Sequence, residues 1–241
     1  MKTKIYLLGF ITLLSFACNS SNKQESYNSL FDLSDWNKVK EVFNQWRKQE
    51  IKKGYFVENC LSNPEEFINK YGDKWETDSL RYALPNLLEK FNSDIDTCMV
   101  DINLDGKQDV IFKINPIDCV NGASTHPPLY ILVVSSKNSY IIDNTCISKV
   151  KTAIRDYTKQ LSNREYQWFQ IDSIRNDKGI IIISGNSSIY LNDDANCCPS
   201  IELNFIAYID KSMKGHINIE AINTNQFDNT ESKFKTKLVI K

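Results

Sequence analysis

From residue 93 onward the apolar residues fall in short β-branched and aromatic runs separated by turn residues, which constrains the fold more than any other feature. Leu129 to Val134 is unbroken apolar sequence, the pattern of a strand covered on both faces. Ser139 to Asp143 is placed to pair with it across a turn at Ser136-Lys137-Asn138. Tyr166–Arg175, Gly179–Tyr190, Ser200–Asp210 and His216–Asn223 follow as successive strands. Their turns fall at Asn176-Asp177-Lys178-Gly179 and Lys211–Gly215, and Leu238-Val239-Ile240 supplies an edge strand. One stretch breaks the alternation. Ile147, Val150, Ile154, Tyr157 and Leu161 recur at helical spacing, with Asn144 or Thr145 as cap.

Residues 30–92 have the other periodicity. Trp36, Val39, Phe43 and Trp46 lie three and four apart, so they share one helix face, and Asp32 or Ser34 can cap its start. Asn63-Pro64-Glu65-Glu66 reads as cap, first-turn proline and first-turn acids, and that helix should end at Gly72. Asp78 to Phe91 reads as a third helical stretch, divided by Pro85. Helices first and successive hairpins after them predict an α+β fold. Its helical N-terminal part would pack on an antiparallel sheet, with one further helix inserted. The expected division is 30–92 helical and 93–241 the α+β domain.

The first residues are of a different kind. Lys2 and Lys4 precede an apolar run too short to span a bilayer, and small residues precede Cys18, so residues 1–17 read as an export signal. Ser15-Phe16-Ala17-Cys18 resembles a bacterial lipobox. That resemblance implies cleavage before Cys18, diacylglycerol on its thiol and an acyl chain on the new amino group. An ordinary signal peptide and an uncleaved anchor are the alternatives. Loss of Lys2 and Lys4 takes the formal net charge from −1 to −3, and nothing is basic enough to suggest nucleic acid. Residues 18–29 are polar and aperiodic, a tether between the membrane and the folded part. The expected location is the bacterial cell envelope, at the outer membrane or cell surface.

Asp101 to Phe112 reads D-I-N-L-D-G-K-Q-D-V-I-F and carries the most definite chemistry. Asp101, Asn103, Asp105, the Lys107 carbonyl and Asp109 place oxygens at alternate positions, and Gly106 stands where a chain must turn around a hard cation. Phe112 occupies the position where an EF-hand needs its bidentate Glu, and both flanks are strand-like rather than helical. The stretch resembles the D-x-N-x-D-G-x-x-D calcium loops of FG-GAP and integrin-type repeats. That likeness implies Ca²⁺ with Asp109 as the closing carboxylate. A hairpin turn holding no ion is the alternative reading.

Cys60, Cys98, Cys119, Cys146, Cys197 and Cys198 remain after Cys18, an even number that in an exported chain predicts up to three disulfides and no free thiol. Cys197 and Cys198 are adjacent and belong in different bridges, one of them expected to meet Cys119. Zinc is the rival reading, but the C-x₂-C spacing is absent. Asp194 to Ser200, with Cys197-Cys198-Pro199, resembles a D-x-x-C-C-P-S turn of small secreted bacterial lipoproteins, which implies architecture alone. Asp193 and Asp194 either extend the calcium site or form a solvated turn.

The loop 121–128 holds Ser124 and His126, two apart, with no G-x-S-x-G elbow anywhere, and His216 has no acid in view. No phosphate loop, dinucleotide fingerprint or H-E-x-x-H occurs. Two function classes follow. One is a non-enzymatic, lipid-anchored module with a structural calcium loop that contacts a protein or glycan. The other is a calcium-dependent envelope hydrolase acting on glycan or peptide with a Glu or Asp base.

Overall fold

The structure is a computed structural model, and it describes residues 33–72, 74, 79–87, 94–120, 126–160, 167–190, 201–225 and 230–240. In chain order its elements are helix α1 (Leu33–Lys52), helix α2 (Pro64–Tyr71) and strands β1 (Tyr82–Ala83), β2 (Ile95–Val100), β3 (Asp109–Ile114), β4 (Ile117–Asp118), β5 (Leu129–Ser136) and β6 (Ser139–Ile142). Helix α3 (Thr145–Thr158) follows, then β7 (Gln167–Asp177), β8 (Ile180–Ile189), β9 (Ile201–Ile209), β10 (Gly215–Asn225) and β11 (Thr230–Ile240). The fold is α+β, and its strands form three antiparallel sheets rather than one. Their orders are β2-β3-β5-β6, β11-β10-β9-β8-β7 and the small pair β1-β4.

Period-two alternation explains the layering. Along β5, Ile131 and Val133 join one apolar cluster and Leu132 and Val134 another, all four being buried. A strand apolar on both sides needs two coverings, so the four-stranded sheet is sandwiched. On one side lies α1, whose Val39 and Phe43 are fully buried, with Phe43 and Trp36 against Phe112 at ring distances of 4.6 and 6.2 Å. On the other side the inner face of the five-stranded sheet and α3 share one cluster with Val100, Ile111, Leu132 and Val134. Phe169 and Phe205 stack there at 5.4 Å. Gly185 makes that stack possible, because a Cβ on it would fall 2.1 Å from the Gln170 carbonyl oxygen and 2.7 Å from the Phe205 ring.

Of the third helix expected in 78–91, the described residues 79–87 form none beyond a single turn. Ser79–Arg81 is a single 3₁₀ turn, and Tyr82-Ala83 pairs with Asp118 and Ile117. Pro85 forbids a continuous helix, and the buried Arg47 of α1 takes the Leu84 carbonyl for itself at 2.8 Å, with the Glu58 carbonyl at 2.9 Å. The edge strand expected at 238–240 is far longer, since β11 pairs with β10 from Thr230 to Ile240. Helix α2 begins as read: Asn63 caps it through Glu65 N–H, and Gly72 closes it at φ 56°.

The cysteines depart from the expected pattern in two respects. Cys119 pairs with Cys60, across 59 residues, and not with Cys197 or Cys198. The bridge is local in space because β1 pairs with β4, bringing Cys119 beside Val57, Phe67 and Ala83 in a satellite apolar cluster. Cys146, expected in a bridge, is a free thiol at 1% exposure in the first turn of α3, and burial pushes its pKa up to about 12. Cys98 lies half-buried on β2 against the inter-sheet core. Cys18, Cys197, Cys198, Asp193, Asp194 and Ser124 lie outside the described residues. Among the described residues no helix is long and apolar enough to cross a membrane.

Candidate cation loop

The loop 101–108 joins β2 to β3, which pair antiparallel from Ile95↔Ile114 to Val100↔Asp109. Alternation persists through its first half. Ile102, at 2% exposure, and the partly buried Leu104 point into the inter-sheet core, while Asp101, Asn103 and Asp105 face the other way. Leu104 adopts φ 58° and Gly106 φ 88° to bring the chain back. A left-handed leucine costs on the order of 1 kcal/mol, which its core contacts offset.

The acidic side chains are held by the loop's own backbone. Asp101 accepts from Asp105 N–H at 3.1 Å and Gly106 N–H at 2.9 Å. Asp105 accepts from Lys107 N–H at 2.9 Å, Ser135 Oγ–H at 2.8 Å and the Asn103 amide at 3.3 Å. Burial pushes the Asp105 carboxyl up, but those three donors together outweigh it and leave its pKa below the ordinary value. Asn103 accepts Asp105 N–H at 3.0 Å and donates to the Ser135 carbonyl at 2.7 Å.

Asp109 is fully buried and differently employed. One oxygen accepts Ile102 N–H at 2.7 Å and Asn103 N–H at 3.2 Å, and the other accepts Ser135 N–H at 2.7 Å. One carboxylate therefore ties both ends of the loop to Ser135 near the end of β5. Burial pushes its pKa up, and the three backbone donors only partly offset that.

Other strand ends and turns close on the same loop. Asn176, near the end of β7, donates to the Asp101 carbonyl at 3.2 Å, and Lys211, in the β9–β10 turn, donates to the Leu104 carbonyl at 3.4 Å. Lys107 Nζ donates to the Lys137 carbonyl in the β5–β6 turn at 2.7 Å. The loop thus sits where the two large sheets meet and is bonded to both. Sequence reading missed Ser135, Asn176 and Lys211. Each comes from 30 or more residues away, so no local pattern announces them.

No family model, no curated protein and no solved structure matches this chain. The site is therefore judged on its own chemistry. Three carboxylates, one amide oxygen and one carbonyl are an all-oxygen set suited to a hard cation. Each carboxylate oxygen that accepts one N–H keeps a further lone pair, and that is the capacity an ion would use. As placed, no three His, Cys, Asp or Glu side chains converge at metal-ligand distance among the described residues.

The histidines occupy structural positions. His126 is wedged between Phe56 and Tyr82, with ring centroids at 5.7 and 5.0 Å, and its Nδ1 lies 2.7 Å from the Pro127 carbonyl. Burial lowers its pKa. His216 stacks on Tyr208 at 4.9 Å.

Proposed function

We propose that the chain is a lipid-anchored envelope protein that works as a non-enzymatic binding module, with Ca²⁺ bound structurally in the loop 101–109. The leader of residues 1–17 before Cys18 supports the anchor. The densely filled space between the sheets, and a His126 walled in by two aromatic rings, favour a module over a hydrolase.

The observation that carries the structural role of the loop is its reach. Asp109 binds the loop to β5, and Asn176 and Lys211 bind it to the second sheet. Asp101, Asn103, Asp105, the Lys107 carbonyl and Asp109 would hold the ion. When bound, it would neutralise three carboxylates that otherwise repel one another within one turn. An ion bound only by the folded state adds RT ln(1 + [L]/Kd), about 2.7 kcal/mol at a hundredfold excess over Kd. For a domain of this size that raises the midpoint by roughly 5–10 °C.

The test is melting of the parent and of Asp105→Ala in calcium, in magnesium and in chelator, with capture of the anchored protein from intact cells. Calcium should raise the parent's midpoint and leave the variant nearly unmoved, and a specific envelope component should co-purify. A parent indifferent to chelator, with no heat of calcium binding at millimolar ion, removes the calcium part. A captured protein that turns over an envelope substrate removes the rest.

A further inference from the structure

The outer face of the five-stranded sheet holds a block of polar side chains with unspent hydrogen-bonding capacity. Register places Asn204, Glu220 and Lys235 opposite one another across β9, β10 and β11, and Ile206, Asn218 and Lys237 in the next row of the same face. The inward neighbours Leu203, Phe205, Ala207, Ile217 and Ile219 are all buried, so these six point away from the core. They line a shallow hollow of about 560 Å³. Asn204 and Asn218 are exposed, Ile206 is 41% exposed between them, and neither amide has a hydrogen-bond partner among the described residues.

The charges are unequal. Lys235 reaches Glu220 only at 3.9 Å, the lysine largely in solvent and the carboxylate half-buried, and Lys237 meets no acid among the described residues. The hollow therefore offers two amides and a carboxylate for hydroxyl groups, a small apolar floor, and one ammonium without a counter-charge.

Resting on the reading of this chain as an envelope binding module, we propose that this hollow binds an acidic saccharide. Its hydroxyls would meet Asn204, Asn218 and Glu220, and its carboxylate would meet Lys237. A hydroxyl-bearing ring matches paired amide donors and acceptors, whereas an apolar peptide face would leave both amides unpaired on binding. The ammonium selects for charge, since an exposed Lys–carboxylate contact adds attraction that salt screens. A hollow of this volume takes one or two sugar rings, so the probe is a short oligomer.

The experiment titrates trigalacturonate and neutral maltotriose into the detergent-solubilised full chain by calorimetry, at low and high salt. The comparison includes Asn218→Leu, Lys237→Gln and, as control on α1, Lys48→Gln. Trigalacturonate should bind about two- to fivefold tighter than maltotriose at low salt, the margin that one exposed charge contact supplies. Asn218→Leu should lose about tenfold, Lys237→Gln should lose affinity and most of the salt dependence, and Lys48→Gln should change nothing. Equal affinity for the two sugars, absence of saccharide binding, or binding indifferent to Lys237→Gln overturns the proposal. The Lys237→Gln arm decides the matter even if Asn218→Leu misfolds. Capture of a protein partner from intact cells while neither sugar binds overturns this proposal and leaves the envelope-module reading standing.

Discussion

Replacing Asp109 by Ala should be among the most destabilising changes available on this chain, and metal-free conditions isolate the reason. The substitution removes the acceptor for Ile102, Asn103 and Ser135 N–H together. Ile102 and Ser135 are 2% and 3% exposed, so water cannot readily replace the lost oxygens. Two buried amide donors left bare cost about 1–3 kcal/mol each, and the third, partly solvated, costs less. Relief of the carboxylate's own desolvation returns part of this. The net expectation is on the order of 3–5 kcal/mol, or roughly a 10 °C drop in midpoint. Asp109→Asn should lose less, because its amide oxygen can still serve one side while its NH₂ opposes a backbone donor on the other. Asp105→Ala, on an exposed carboxylate, should cost about 1 kcal/mol or less. The assay is urea unfolding in chelator, followed by tryptophan fluorescence and circular dichroism. A loss below about 1 kcal/mol for Asp109→Ala, with unchanged denaturant slope, would refute the assignment of Asp109 as the pin between loop and β5.

Reduction of the Cys60–Cys119 bridge, or a Cys60→Ala/Cys119→Ala double variant, should cost about 4 kcal/mol on the chain-entropy relation for a 59-residue separation; calorimetry showing no change would contradict it. Cys146 should resist iodoacetamide at pH 8 in the native protein and react on unfolding, whereas rapid native alkylation would place it nearer the surface. The same raised pKa sets a sign at high pH. Cys146 favours its neutral form in the fold, so its contribution is full below the unfolded thiol pKa and is lost as pH rises toward about 12; Tyr130 and Tyr140, each also pushed up to about 12 by burial, act in the same direction. Alkaline unfolding should therefore be steep, and Cys146→Ala should shift it upward by on the order of 0.5 pH unit; a pH profile flat to 11 would count against this. Cys18→Ser should leave the chain uncut or released from membranes, and full partition of the cleaved variant into the detergent phase would sink the lipid anchor.

The sequence by itself determined what local spacing can carry. The α1 face of Val39 and Phe43, the doubly buried β5, the Asn63-Pro64 helix start and the β2–β3 hairpin around Asp101–Asp109 all depend on residues within a few positions of one another. Backbone periodicity and turn chemistry act at that range, so they are legible. Division into two large sheets was not, because alternation says which face of a strand is apolar and never which apolar face it will meet. Pro85 marked a break in a helix, but only the pairing of Tyr82-Ala83 with β4 and the claim of Arg47 on the Leu84 carbonyl decided that residues 82–83 form a strand. Cysteine parity could not identify the pair, since bridge geometry depends on the β1–β4 contact that brings Cys60 and Cys119 within 4.9 Å between Cα atoms. It also could not foresee that Cys146, in the first turn of α3, faces an apolar core. The loop's ligand-like spacing was written in nine consecutive residues, whereas Ser135, Asn176 and Lys211 reach it from β5, β7 and the β9–β10 turn. A hydrogen bond depends on distance in space and not along the chain, so only the packing of the two sheets could bring those partners together.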